Sequence, residues 1–191
     1  MKYNRVKGTE DFYPEEQDIK NQVFFVLRST ARSFGCDEVE RPAIESGGLL
    51  TAKSGEEIKS QLFVLDKKGS EELAMRFDYT VPLTRMFVAK QLEIPKPVKW
   101  FGLGKLWRYE APQKGRQREF YQLSCEVLGT ESPEAVAECL NLLIACLVKL
   151  GLSSKDFSIR MNNRKLLEGL LEPIIPSGKF TDVVRVVDKF R

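Results

Sequence analysis

The sequence predicts an α+β fold in which amphipathic helices and β-hairpins share one chain. Three observations lead there. The run SPEAVAECLNLLIACLVKLG, from Ser132 to Gly151, opens with a Ser cap, Pro at the first helical position and Glu after it, and closes on Gly. The run from Pro14 to Gly35 places acids near a helix start and apolar residues at Ile19, Val23, Val26, Leu27 and Ala31, one face of a helix. Two alternating segments, VKWFGLGKLWRYE and REFYQLSCEVLG, flank a turn at Gly115, which is a long β-hairpin.

The remaining elements follow in order. CDEVERPAIES reads as a strand interrupted by Pro42, which cannot donate to a ladder and so favours an edge or a bulge, the edge being a candidate contact surface. SGEEIKS is a short helical piece. QLFVLDKKGSEELAMRFDYT is a second hairpin around KKGSEE. Its second strand alternates, with Leu73, Met75, Phe77 and Tyr79 expected in the core and Ala74, Arg76, Asp78 and Thr80 expected to form a polar floor. Pro82 suits the first turn of a helix over TVPLTRMFVAKQLE, which IPKPV stops. Beyond the Ser132 helix, FSIRMN reads as a strand, and NRKLLEGLLEPI and TDVVRVVDKF as helices, the last running to Arg191 without a C-cap. No repeat or linker divides these elements, so the expectation is one domain over residues 1–191 that ends mid-architecture.

Composition narrows the function. With 42% hydrophobic and 30% charged residues, 191 residues make an ordinary globular chain with one sizeable core or two small ones. A formal charge of +3 is compatible with RNA but far below the excess that announces a nucleic-acid binder. The four cysteines show no CxxC spacing, which favours buried reduced thiols over disulfides or a metal site. The N-terminus lacks the apolar core of a signal peptide and no run reaches membrane-span length, so the expected compartment is the cytoplasm. The absence of histidine removes a His-dependent triad, a His metal site and imidazole base catalysis within this chain. Arg, Asp, Glu, Gln and Thr remain, and they suit binding and transition-state electrostatics of the kind phosphate chemistry uses.

The hairpin holds the candidate chemistry. Alternation puts Trp100, Gly102, Gly104, Leu106, Arg108 and Glu110 on one face of the first strand, and Phe120, Gln122, Ser124 and Glu126 on one face of the second. Gly102 and Gly104 either leave room for a ligand or mark a bulge or crowded crossing. They do not make a P-loop, whose spacing is absent. An aromatic ring, an amide and a carboxylate on one face need water or a ligand. At about 3.3 Å per residue, Phe120 to Glu126 spans roughly 20 Å, the length of an acyl-adenylate. Phe120 is placed to stack on a base, Arg108 to meet a phosphate, and Gln122 and Glu126 to take an ammonium and a polar side chain. The turn APQKGRQR, with Lys114, Arg116 and Arg118, is either a solvated basic turn or a loop that clamps pyrophosphate oxygens.

At this point the sequence resembles a family. WRYEAPQKGRQREFYQLSCEVLG resembles motif 2 of class II histidyl-tRNA synthetases, and KGTEDFYPEE, RPAIES, KSGEE and RFDYTVPLTRM resemble that family's preceding segments in the same order. The resemblance implies an antiparallel β-sheet flanked by helices, a homodimer built partly on the first long helix and the Pro42 strand, and an ATP-dependent ligase forming histidyl-adenylate for transfer to tRNA(His), with Mg²⁺. Carried over by position, it makes Arg108 the catalytic contact to the α-phosphate. Glu110, Arg116 and Phe120 join Arg108 in the ATP set, and Asp78, Thr80, Gln122 and Glu126 hold histidine. Asp78 departs from the Glu common there, and Asp78 and Thr80 are also suited to capping the following helix. The family's glycine-rich histidine motif, motif 3 and anticodon-binding domain find no match, so the expectation is the N-terminal part of a catalytic domain, weak or inactive alone. Two alternatives remain: a synthetase-like regulatory paralogue that binds histidine or a partner enzyme, and a dimerisation module.

Overall fold

A computed structural model describes residues 3–52, 58–66, 69–171, 173–175 and 178–189. Among these, no helix is long and apolar enough to cross a membrane. The chain divides into two compact units, Met1–Gly151 and Leu152–Arg191.

In the first unit, helix α1 (Pro14–Ser33) starts where Glu16 Oε2 accepts from the Tyr13 N–H at 3.1 Å, and ends at Gly35, whose φ of 74° turns the chain away. The expected Pro42-interrupted strand is two strands in two different sheets. Strand β1 (Asp37–Glu38) pairs parallel with β4 (Val98–Trp107), and β2 (Ile44–Ser46) pairs antiparallel with β3 (Leu73–Met75). The proline breaks the ladder outright rather than bulging it, because the chain leaves one sheet and enters the other there. A short helix α2 (Gly47–Thr51) follows. The expected helical piece SGEEIKS lies largely outside the described residues.

The second hairpin forms around β3. Leu65 N–H donates to Leu73 O and Met75 N–H to Phe63 O, both at 2.9 Å, and Val64 bridges Ala74; Lys67 and Lys68 of its turn lie outside the described residues. The expected alternation along this strand fails. Ala74 and Arg76 are buried and Leu73 is exposed, while Phe77 and Tyr79 are buried as expected. Pairing stops at Met75, so the period of two stops with it, and each later side chain goes where its own partners are. Helix α3 (Thr80–Lys90) then begins with Pro82 in its first turn.

Strands β4 (Val98–Trp107) and β5 (Glu119–Leu128) form the long hairpin, and the sheet order is β1-β4-β5. Register pairs Trp100 with Glu126, Gly102 with Ser124, Gly104 with Gln122 and Leu106 with Phe120, the common face read from alternation. The opposite face carries Phe101, Leu123 and Cys125. It packs with Ala31, Cys36, Leu142 and Cys146 into a core covered by α1 and by α4 (Pro133–Lys149). All four cysteines are free thiols. Helix α4 is capped as its sequence requires, with Ser132 Oγ accepting from Glu134 N–H at 3.2 Å. Ser132→Ala is expected to cost about 1 kcal/mol of stability, read from a denaturant midpoint.

The second unit contains α5 (Arg164–Leu171) and α6 (Phe180–Lys189), as the patterns predict. The strand expected at FSIRMN is not formed. A strand needs a ladder partner, and the described chain provides none for it.

Candidate functional site

One end of the hairpin is a cleft of about 410 Å³ lined by Arg108, Glu110, Gly115, Arg116, Gln117, Phe120 and Tyr121. It brings together all four residues of the predicted ATP set. The ladder continues past β4, since Arg108 N–H donates to Arg118 O at 2.9 Å, so Arg108 keeps its strand orientation. Its side chain is held as well. Nε donates to Phe77 O at 3.1 Å, and the guanidinium carbon lies 5.1 Å from the centre of the Phe120 ring. A cation stacked over an aromatic face at the rim of a cleft suits a ligand that is both aromatic and anionic.

The turn is closed by reciprocal backbone bonds, Gln113 N–H to Arg116 O at 3.1 Å and Arg116 N–H to Gln113 O at 2.8 Å, with Gly115 at a φ of 79°. Its basic residues part company. Arg116 faces the cleft and approaches Glu110 at 3.7 Å, with its side chain 66% exposed, so solvent screens the pair and leaves the guanidinium available. Arg118 is used structurally. Its Nε donates to Glu110 O at 3.0 Å, its guanidinium lies 4.3 Å from the Tyr109 ring centre, and its backbone N–H reaches Gly8 O at 2.7 Å. Lys114 is exposed.

The other end is built on β5 and the start of α3. Thr80 Oγ1 donates to Glu126 Oε1 at 2.8 Å, and Ser124 Oγ donates to the same oxygen at 3.1 Å. Glu126 is therefore a carboxylate held by two hydroxyls on the ligand face. Asp78 Oδ1 accepts from Val81 N–H at 3.2 Å, so it does cap α3. Gln122 stands opposite Gly104.

The space over the two glycines is not left to a ligand. A Cβ at Gly102 would land on the Arg41 guanidinium, and one at Gly104 would meet the Tyr79 hydroxyl at 2.5 Å. Both side chains are almost wholly buried, Arg41 at 2% and Tyr79 at 2% exposure. Burial holds the Tyr79 phenol above its usual range and draws Arg41 below its own. Arg76 completes the group, with its guanidinium donating to the backbone oxygens of Arg41, Pro42 and Lys105 and to the Tyr79 hydroxyl. Sequence reasoning placed Tyr79 in the core and Arg76 on a polar floor but did not single out Arg41 or set any of the three over the glycines, because pattern shows that a face has room without showing what fills it. The available signal was the pair of glycines, since a gap on a buried face must be filled by something. Gly102→Ala is expected to destabilise the protein by about 1–3 kcal/mol, measured by chemical unfolding, and the cost should shrink in an Arg41→Ala background.

Three comparisons bear on this arrangement. Residues 8–186 match the family model for histidyl-tRNA synthetase. The chain is 40% identical over 187 residues to the histidine–tRNA ligase of Haloarcula marismortui, covering 98% of this chain and 43% of that protein. It is 33% identical to the chloroplastic/mitochondrial histidine–tRNA ligase of Arabidopsis thaliana, covering 97% of this chain and 38% of the relative. The chain thus spans about two-fifths of the length of these relatives.

Among solved structures, histidyl-tRNA synthetase from Nostoc superposes with a TM-score of 0.82 at 25% identity, over 98% of this chain and 43% of that one. A Bacillus halodurans protein described as an ATP phosphoribosyltransferase regulatory subunit/histidyl-tRNA synthetase superposes with a TM-score of 0.72 at 25% identity, over 80% of this chain and 39% of that one. The α+β fold, with its antiparallel hairpin flanked by helices, is the fold of that enzyme class. By family match, by identity to its relatives and by fold, this chain belongs to the histidyl-tRNA synthetase family.

Proposed function

We propose that this chain is the N-terminal part of a class II catalytic domain that joins histidine to tRNA(His) through histidyl-adenylate. One observation carries the reading: a single cleft at one end of the hairpin gathers Arg108, Glu110, Arg116 and Phe120, while the other end holds Glu126 through Thr80 and Ser124. The two ends lie on one face, as a molecule with a base at one end and an amino acid at the other requires.

In this reading Phe120 supports the adenine and Arg108 meets the α-phosphate. Arg116 takes outer phosphate oxygens from the turn. Asp78, Thr80, Gln122 and Glu126 face the histidine. Activation needs no protein base, because the amino-acid carboxylate is the nucleophile. Catalysis is then alignment of two anions plus neutralisation of charge growing at phosphorus. Arg108 suits that task because it is anchored beforehand by the Phe77 carbonyl and the Phe120 ring, so little reorganisation accompanies the step.

Mg²⁺ belongs to the same reading. Among the described residues no three acidic, Cys or His groups converge, and in this reading Mg²⁺ would arrive on the phosphates of ATP. A homodimer acting in the cytoplasm completes the proposal, with support from the family alone.

The test is amino-acid-dependent ATP–pyrophosphate exchange by the protein extended to the length of its relatives. Exchange with histidine is expected. Exchange with a different amino acid overturns the specificity. Folded protein with no exchange favours the regulatory reading, which the likeness to the Bacillus halodurans chain keeps in view.

A further inference from the structure

Two arginines flank the Tyr79 ring, and they are treated differently. Arg76, 4.9 Å from the ring centre, spends its guanidinium on backbone oxygens and the Tyr79 hydroxyl. Arg41, 4.1 Å from the same centre and 2% exposed, makes no well-aligned hydrogen bond at Nε, Nη1 or Nη2 among the described residues, beyond a marginal approach to the Tyr79 phenol. A buried cation with no well-aligned acceptor weakens a fold, and an apolar side chain of the same volume generally does as well or better. Stability does not explain why arginine stands here.

Its surroundings do. The guanidinium packs against the β4 backbone at Gly102 and lies 4.1 Å from the centre of the Tyr79 ring. Desolvation strengthens the attraction between the cation and the ring. Tyr79 lies between Asp78 and Thr80, and the carbonyl of Phe77, two residues earlier, anchors Arg108. The ring therefore sits next to Thr80, at the amino-acid end of the hairpin site. Glu126, the carboxylate that Thr80 reaches, is also among the charges that favour the Arg41 cation.

We propose that Arg41 is a positioning residue of the amino-acid end: packed against Gly102 and Tyr79, it locks the Arg76–Thr80 segment over the hairpin so that Thr80 meets Glu126. The positioning itself stands on geometry, and only its link to histidine rests on the function proposed above. Arg41 touches no reacting atom in this scheme and acts through Tyr79.

The test compares Arg41→Met, Tyr79→Leu, their double variant and the control Tyr79→Phe in the 191-residue chain. Arg41→Met is expected to melt within about 2 °C of the parent or above it, because an uncompensated charge is removed. Amide exchange at Val81, whose N–H is held by Asp78, should quicken by about tenfold or more in Arg41→Met and in Tyr79→Leu. Tyr79→Phe keeps the ring and should keep the protection, and the double variant should lose no more than either single one. Unchanged exchange in Arg41→Met overturns the proposal. So does a lowered melting temperature with protection lost throughout the chain, which is what a mere filler would show. In extended protein that exchanges with histidine, Arg41→Met should raise the histidine KM about tenfold and leave the ATP KM within about twofold. Equal changes in both, or none, overturn the functional link. Parent protein that fails to use histidine overturns the proposed function, while the exchange and melting results still decide the positioning.

Discussion

Arg108→Ala is expected to lower histidine-dependent ATP–pyrophosphate exchange by about 10³-fold, with the ATP KM changed far less. In the mechanism proposed above, phosphorus gains negative charge as the carboxylate attacks, and Arg108 is the one cation of the cleft fixed on both sides, by the Phe77 carbonyl at 3.1 Å and by the Phe120 ring. A donor fixed in advance contributes most where charge develops, so its loss falls on kcat. Arg116 makes the useful contrast. With its side chain 66% exposed and only a long ion pair to Glu110, it must be ordered by the ligand, and its removal should act mainly on ATP affinity. Arg108→Lys should recover little, because a point charge replaces a planar fork. Steady-state exchange kinetics with circular dichroism as a folding control decide the matter. A fall of less than about tenfold in kcat would remove Arg108 from the catalytic role.

Arg76→Met is expected to destabilise the first unit by about 3–4 kcal/mol, roughly 10 °C in melting temperature. Arg76 is 5% exposed, and its guanidinium satisfies carbonyl oxygens of Arg41, Pro42 and Lys105 and the Tyr79 hydroxyl, with Glu40 at 3.3 Å. Methionine fills much of the volume and satisfies none of them, which leaves several acceptors buried without a donor. Arg41→Met, a substitution of the same kind at the other arginine beside this ring, should have little or the opposite effect on stability. The two arginines differ in hydrogen bonding rather than in burial or charge. Differential scanning calorimetry of the two variants side by side tests the pair, and equal losses would contradict this account.

Much of this was legible in the chain. The Ser132 cap, Pro133 and Gly151 bound α4 by local rules that need no tertiary information, and the Pro14 and Gly35 pair does the same for α1. The shared face of the hairpin was legible because a paired strand alternates strictly, so Phe120, Gln122 and Glu126 necessarily share a face once β5 exists. Where pairing stopped, legibility stopped too. Alternation placed Leu73 in the core and Ala74 outside; within paired β3 the phase is the opposite one, and past Met75 the period itself breaks, with Arg76 and Phe77 both buried. FSIRMN has strand composition, but composition supplies no partner to pair with.

By itself, then, the sequence determined the long helices α1, α3 and α4, the long hairpin, the face that carries Arg108 and Glu126, and the family through the order of its motifs. Those properties depend on neighbours along the chain or on period. Tertiary structure decided that Pro42 separates two sheets, that Arg118 serves the fold while Arg116 faces the cleft, and that Arg41 and Tyr79 fill the face over Gly102 and Gly104. Most of these are contacts between residues tens of positions apart, such as Arg41 with Gly102, and even Arg118 with Glu110 spans the turn between two strands. A missing side chain shows that space exists, but only packing shows which distant residue takes it.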